Sequence, residues 1–140
     1  MRITIKPCVV ALLGMAAMLF LSGCSGQNTV TGQVKFADGA PLPEGMVICE
    51  KTDGGQIVQA RGQLAKDGTF RLGTSTPGDG ALPGSYRVLV VPRGLTQDEM
   101  RAQGPIIDPK FSKYETSGIT LEVKAGSNRL DIIVTKPGAK

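Results

Sequence analysis

Between residues 29 and 134 the chain alternates short apolar or β-branched stretches with turns rich in Gly, Pro and Asp. Alternation with a period of two is the pattern of a strand that buries one face. It predicts strands over Thr29–Phe36, Met46–Glu50, Gln56–Leu64, Thr69–Leu72, Ser85–Val91, Ile119–Val123 and Arg129–Val134. Seven short strands separated by frequent turns are typical of a β-sandwich, so the fold class predicted from the pattern is all-β.

The same alternation predicts where individual strands lie. Tyr86, Val88 and Val90 share one face of the strand 85–91, and Leu89 and Val91 make the other face apolar too, so this strand is predicted to be central. In residues 121–134, charged side chains interrupt apolar ones on both sides of a Gly-Ser-Asn turn. That pattern predicts a hairpin with one solvated face.

The segment 92–118 is too long for an ordinary loop between strands. Thr96 followed three residues later by Glu99 is a capping box, and Gly104-Pro105 is a stop signal. Together they predict a short helix over Gln97–Gln103 inside the loop.

The rest of this segment contains the candidate binding residues, Lys110, Phe111, Lys113 and Tyr114. Aromatic and cationic side chains together on a loop fit a contact surface for a sugar, a peptide or a protein. Alternatively, Ile107, Phe111 and Tyr114 fold back over an open end of the sandwich. Because the chain has only 4 Phe and 2 Tyr, the covering role is favoured.

The N-terminal pattern differs from the rest of the chain. Arg2 and Lys6 precede an apolar run from Val9 to Leu21, which is too short to cross a bilayer and predicts an export signal. Leu21-Ser22-Gly23-Cys24 follows and resembles the lipobox of bacterial lipoproteins, in which the Cys thiol is acylated and the signal is cut before it. An ordinary secretory signal is the alternative. The predicted organisation is a signal peptide (1–23), a lipidated Cys24 with a short tether (24–28), a β-sandwich domain (29–136) and a C-terminal tail (137–140).

Cysteine use and charge narrow the function further. With Cys8 removed and Cys24 acylated, Cys49 is the remaining thiol, and its apolar strand predicts a buried, inert side chain rather than a reactive one. The net charge of +4 comes from interspersed residues, which is not the footprint of a nucleic-acid-binding protein. Four Asp-Gly pairs, at Asp38, Asp53, Asp67 and Asp79, are predicted to form turns rather than a calcium site, and no metal or cofactor is expected.

Three segments carry a resemblance to a known family. They are VTGQVKFADGAPLPEGMVICE, GQLAKDGTFRLGTSTPGDGALPGSYRVLVVP and KFSKYETSGITLEVKAGSNRLDIIV. Their order resembles the carboxypeptidase regulatory-like domain of small bacterial lipoproteins, a transthyretin-like (prealbumin-like) Greek-key sandwich. The resemblance implies a seven-stranded Greek key with no peptidase activity, in which Asp67-Gly68-Thr69-Phe70 closes a hairpin.

Catalytic interpretations are limited by residue supply. The chain has no histidine, which removes Ser-His-Asp and Cys-His arrangements. It also ends in TKPGAK, unlike the histidine-dependent hydroxyisourate hydrolase branch of the transthyretin-like fold. No catalytic residues are therefore predicted. The expected protein is an exported, membrane-anchored cell-envelope lipoprotein whose sandwich is a structural or interaction module for an envelope protein. A carbohydrate-binding module is the alternative, disfavoured by the absence of Trp, and a carboxylate-dependent hydrolase is third.

Overall fold

The computed structural model describes residues 27–93 and 96–139, which form mainly β-strands. The strands are β1 Thr29–Phe36, β2 Gly45–Asp53, β3 Gln56–Gln63, β4 Thr69–Arg71, β5 Gly84–Pro92, β6 Ile119–Val123 and β7 Ser127–Val134. The predicted signal peptide 1–23, the lipidation residue Cys24 and most of the predicted tether lie outside the described residues.

The strands form two sheets. One has three strands in the order β4-β1-β7, and the other has four in the order β3-β2-β5-β6. β1 pairs in parallel with β7 along its whole length, and the neighbours in the four-stranded sheet are antiparallel. The predicted all-β architecture is confirmed at this level, and β5 lies between β2 and β6 as the pattern of residues 85–91 predicted.

The core lies between the two sheets. Alternate residues of β1, including Val30 and Val34, face it from one sheet, while Val47, Val88 and Val90 face it from the other. Gly32 occupies a buried position on β1 because the Phe70 ring of β4 takes the space of a side chain. A Cβ at Gly32 would lie 2.7 Å from Phe70 Cζ and would also overlap the carbonyl oxygen of Leu130.

Both hairpins predicted from the sequence are wrong. β6 belongs to the four-stranded sheet and β7 to the three-stranded sheet, so residues 124–126 cross between sheets. β3 and β4 are likewise in different sheets, linked beyond β4 by a single bridge between Arg61 and Gly73. The sequence pattern of a Gly-containing turn between two alternating stretches is the same in a hairpin, which joins neighbours in one sheet, and in an arch, which joins two sheets. Here the arch allows both strands to bury their apolar faces between the sheets.

The segment between β5 and β6 contains more structure than predicted. Helix α1 spans Gln97–Gln103, as predicted, and its capping box is formed: Thr96 N donates to the Glu99 carboxylate at 2.9 Å, and Glu99 N donates to Thr96 Oγ1 at 3.3 Å. A 3₁₀ helix, Pro109–Ser112, and a one-turn helix α2, Tyr114–Ser117, follow and were not predicted. Gly118 ends α2 in the left-handed region, with φ of 66°.

The sandwich has two ends. At the entry end, where the chain enters β1, lie residues 27–28, the β2–β3 turn 54–55, and the connections 80–83 and 124–126. At this end Lys51 Nζ links β2 to the connection 80–83 by donating to the carbonyl oxygen of Pro83 at 2.7 Å. At the far end, β1 finishes, Gly45 pairs with Pro92, and Asp108 N donates to the carbonyl oxygen of Thr135.

Candidate interaction surface on the four-stranded sheet

The four-stranded sheet buries one face in the core and turns the other outward. We call the outward side chains of β2, β3 and β5 the sheet face. It consists of Met46, Ile48, Glu50, Thr52, Ile57, Gln59, Arg61, Gln63, Ser85, Arg87, Leu89 and Val91. The registers place Glu50 opposite Arg87, Ile48 opposite Leu89, and Met46 opposite Val91. The sheet face is therefore polar around Glu50 and apolar from Leu89 towards the far end. Nearer the entry end, Ile57 adds an apolar side chain that is 66% exposed.

The polar half is a connected network. Arg87 donates to the Glu50 carboxylate at 2.9 Å, and Gln59 Nε2 donates to the same carboxylate at 3.2 Å. Arg61 in turn donates to Gln59 Oε1 at 2.8 Å. The Glu50 carboxylate therefore accepts from a cation on β5 and from a side-chain amide on β3, and these contacts link the side chains of three strands.

Tyr114 extends this network from helix α2. The guanidinium carbon of Arg87 lies 5.1 Å from the centre of the Tyr114 ring, within the range of a cation–π contact. The Tyr114 hydroxyl is buried, and it has no hydrogen-bond partner among the described residues. Burial raises the pKa of Tyr114, and the nearby charge of Glu50 raises it further, so the ring is neutral at physiological pH.

The apolar half borders two adjoining grooves. Leu89 is 9% exposed although it faces away from the core, and Val91 is 39% exposed. A groove of about 550 Å³ is lined by residues 43–46, 63–66 and 91–93. A smaller groove of about 250 Å³ runs between Arg61 and residues 73–77. Met46 and Gln63 line both grooves, so the two grooves adjoin at the β3 side of the sheet face.

The structure separates the four candidate residues of the long loop. Phe111 is 7% exposed and packs in the core, together with Ile107, whereas Lys110 and Lys113 are exposed. Tyr114 lies on the sheet face against Arg87. Phe111 is therefore not available as a contact residue, because its ring closes the space between the sheets, as the covering interpretation predicted. Tyr114 does not share that covering position.

Two serine hydroxyls hold this loop against β5. β6 pairs with β5 only from Gly84 to Val88, which leaves the rest of that edge without a neighbouring strand. At the last paired residue, Ser117 Oγ donates to the carbonyl oxygen of Val88 at 2.5 Å. Beyond the pairing, Ser112 Oγ donates to the carbonyl oxygen of Val90 at 2.9 Å. The hydroxyls satisfy carbonyl groups that a longer β6 would otherwise have bonded.

Other chemistry in the described residues is limited. Cys49 is a free, fully buried thiol whose pKa burial raises to about 12, which agrees with the prediction of an inert side chain. Within residues 27–93 and 96–139 there is no group of three or more His, Cys, Asp or Glu side chains placed to hold a metal ion. No helix in this part of the chain is both long and apolar enough to span a membrane.

The sequence carries a local signal for only part of the sheet face. Leu89 and Val91 alternate with core residues, and the two apolar faces of this strand indicated only a central position in the sheet. Their neighbours Met46 and Glu50 come from β2, and no local pattern shows that β2 pairs with β5 in this register. The surface is therefore visible only once the strand order is known.

Comparison with known proteins adds one structural likeness. No protein-family model matches the chain, and no curated protein sequence matches it. Among solved structures, the chain is similar to the crystal structure of a 9R-lipoxygenase from Cyanothece PCC8801, with 14% sequence identity and a TM-score of 0.40. The match covers 80% of this chain, which spans 17% of that structure.

Proposed function

We propose that this protein is a cell-envelope lipoprotein, anchored to a membrane through acylated Cys24, whose β-sandwich is a non-catalytic interaction module. The proposal includes the finer fold, a seven-stranded Greek key of the transthyretin-like, carboxypeptidase regulatory-like type. Support for that topology comes from the pairing of β1 with β7, the first and last strands. Support for the anchor comes from the charged, apolar and lipobox segments at residues 2–24.

The sheet face is the observation that carries the interaction role. It combines a depression around Met46 and Val91, lined by both polar and apolar residues, with the Glu50–Arg87 ion pair and a tyrosine, Tyr114. Arg and Tyr are among the residue types that contribute most to binding energy in protein interfaces. Because these side chains project mainly from strands, little further ordering is needed when a partner binds. An envelope protein is the partner that this surface fits.

A glycan is the alternative partner, and Tyr114 is the aromatic side chain on which a sugar ring would have to stack. Sugar rings bind by stacking on an open aromatic face, whereas Arg87 already occupies one face of Tyr114. Phe111, the other aromatic candidate, is buried in the core. A hydrolase using carboxylates is supported less, because the Glu50 carboxylate is already engaged by Arg87 and Gln59.

Site-specific photo-crosslinking tests the interaction role. A photoreactive phenylalanine analogue at Val91 is expected to give one discrete crosslinked species in intact envelopes. Ile133, which is 56% exposed on the three-stranded sheet, is the matched control and is expected to give none. Equal crosslinking at both positions, or none at either, would contradict a partner at the sheet face.

Two further measurements separate the alternatives. Binding of the purified protein to a glycan array, lost in a folded Tyr114→Ala variant, would favour the carbohydrate-binding module. Mass spectrometry of the protein from membranes tests the anchor: we expect a diacylglyceryl-modified Cys24 as the first residue. An unmodified chain, or membrane retention of Cys24→Ser equal to that of the wild type, would refute the lipoprotein assignment.

A further inference from the structure

The chain is fixed to the entry end of the sandwich from Asn28 onwards. Asn28 N donates to the carbonyl oxygen of Ala81 at 2.7 Å, and Asn28 Oδ1 accepts from Gly126 N at 3.0 Å. Asn128 Nδ2 donates to the carbonyl oxygen of Thr29 at 3.3 Å. Residue 28 is thereby tied to two loops, which places the end of any N-terminal tether at this end of the domain.

The remaining tether is short compared with the domain. Four peptide units separate Cys24 from Asn28, and an extended chain spans at most about 3.6 Å per residue, so Asn28 lies within about 14 Å of Cys24. β1 has eight residues and, at about 3.3 Å per residue, extends about 26 Å towards the far end. A lipid on Cys24 would hold the entry end near the bilayer. With the far end on the bilayer and β1 upright, Asn28 would lie about 26 Å above the surface, beyond the reach of this tether.

The tips of the entry end suit contact with a headgroup layer without insertion into it. Its tips are small and polar, formed by Gly54 and Gly55 at one turn and by residues 124–126 at another, and all of them are exposed. Lys124 and Asp53 carry opposite charges, and the Lys51 ammonium is already bonded to Asp53 at 3.2 Å and to Pro83. The tips themselves carry no large apolar side chain and no basic cluster for anionic lipids. Ile57, two residues beyond the turn at 54–55 and 66% exposed, is the large apolar side chain nearest to them.

We infer that the entry end is the membrane-facing surface of the domain, and that the groove at Met46 and Val91 is held on the side away from the bilayer. The inference rests on the proposed acylation of Cys24 and adds an orientation to it. The partner at the entry end is a layer of lipid headgroups, and the tether, rather than charge attraction, sets the contact. The partner of the sheet face is then expected to approach from the aqueous side.

Two engineered cysteines test this orientation in the full-length, lipidated protein. Ala125→Cys carries a dye at the entry end, and Ala40→Cys carries the same dye at the far end. Both positions are exposed, and buried Cys49 leaves the wild type unlabelled as the control for labelling. The protein is reconstituted into phosphatidylcholine vesicles that contain a lipid with a nitroxide on its headgroup, which quenches only nearby dyes. We expect strong quenching at residue 125 and little at residue 40.

The outcomes separate the orientation from the anchor. Equal quenching at both positions, or stronger quenching at residue 40, in protein that is lipidated and bound to vesicles would overturn the orientation and leave the anchor intact. Vesicle binding by Cys24→Ser equal to that of the wild type would instead refute the anchor.

A flexible ten-residue Gly/Ser insertion after Gly26 is expected to abolish the difference between the two dyes. Persistence of the difference would overturn the tether as its cause. Replacing part of the phosphatidylcholine with phosphatidylglycerol is expected to change neither signal, and stronger quenching at residue 125 would contradict a contact independent of charge.

Discussion

Replacing Phe111 with alanine tests whether segment 109–117 closes the core. The Phe111 ring is 7% exposed, and it packs in the same core as Ile107 and the inward side chains of β5. Lys113, two residues further along, is exposed in the same loop. Phe111→Ala therefore removes a buried ring, whereas Lys113→Ala changes only the solvated side of the loop.

The cost can be worked from the buried area. A buried aromatic side chain removes about 150–250 Å² from water, and at about 25 cal/mol per Å² this is about 4–6 kcal/mol as an upper bound. Phe→Ala substitutions in protein cores destabilise by about 3–5 kcal/mol, including the cavity that remains. We expect a loss in that range for Phe111→Ala and a change within about 0.5 kcal/mol for Lys113→Ala.

Urea unfolding followed by far-UV circular dichroism measures both values. For a domain of this size the free energy of unfolding falls by about 1–3 kcal/mol per molar urea, so Phe111→Ala should lower the midpoint by more than about 1 M. Phe111→Leu keeps an apolar side chain, is expected to lose less, and remains measurable if the alanine variant does not fold. Equal midpoints for Phe111→Ala and Lys113→Ala would refute the assignment of Phe111 to the core.

Other contacts give predictions of the same kind. Tyr86→Phe should lower the free energy of unfolding by about 1 kcal/mol because the Tyr86 hydroxyl donates to the carbonyl oxygen of Leu82 at 2.8 Å. Tyr114→Phe should be neutral or stabilising because the buried Tyr114 hydroxyl has no hydrogen-bond partner among the described residues. A larger loss for Tyr114→Phe than for Tyr86→Phe in urea unfolding would contradict this. Cys49, with its pKa raised to about 12 by burial, should not react with a thiol reagent at about pH 8 until urea unfolds the protein, and modification of the native state would show the burial to be wrong. The N–H groups of Thr76, Thr74 and Ser75 lower the pKa of Asp79, so its stabilising effect is present above the unfolded pKa of about 3.9 and is lost as pH falls through the lower folded value. Asp79→Asn should accordingly show a smaller loss of thermal stability than the wild type between about pH 5 and pH 2, and parallel losses in the two proteins would refute the linkage.

Local sequence patterns predicted the elements better than their partners. β1 and β6 begin and end where the alternation predicted, and the capping box of Thr96 and Glu99 marks the start of α1. Each of these features is decided by neighbours in the chain. The choice between hairpin and arch at residues 124–126 depends on which sheet buries β7, and that is settled by contacts with β1, nearly a hundred residues earlier. No local pattern carries this information.

The candidate residues of the long loop failed to form one site for a related reason. The loop wraps around the edge of β5, held by Ser112 and Ser117, so residues three positions apart reach opposite sides of the sheet. Phe111 enters the core, while Tyr114 contacts Arg87 on the sheet face. One segment thus contributes both to stability and to the candidate surface. Replacing both aromatic residues together would mix the two effects, because loss of a partner could follow from unfolding alone. Single changes on the strands avoid this, and Val91 is the better position because its exposed side chain can change without opening the core.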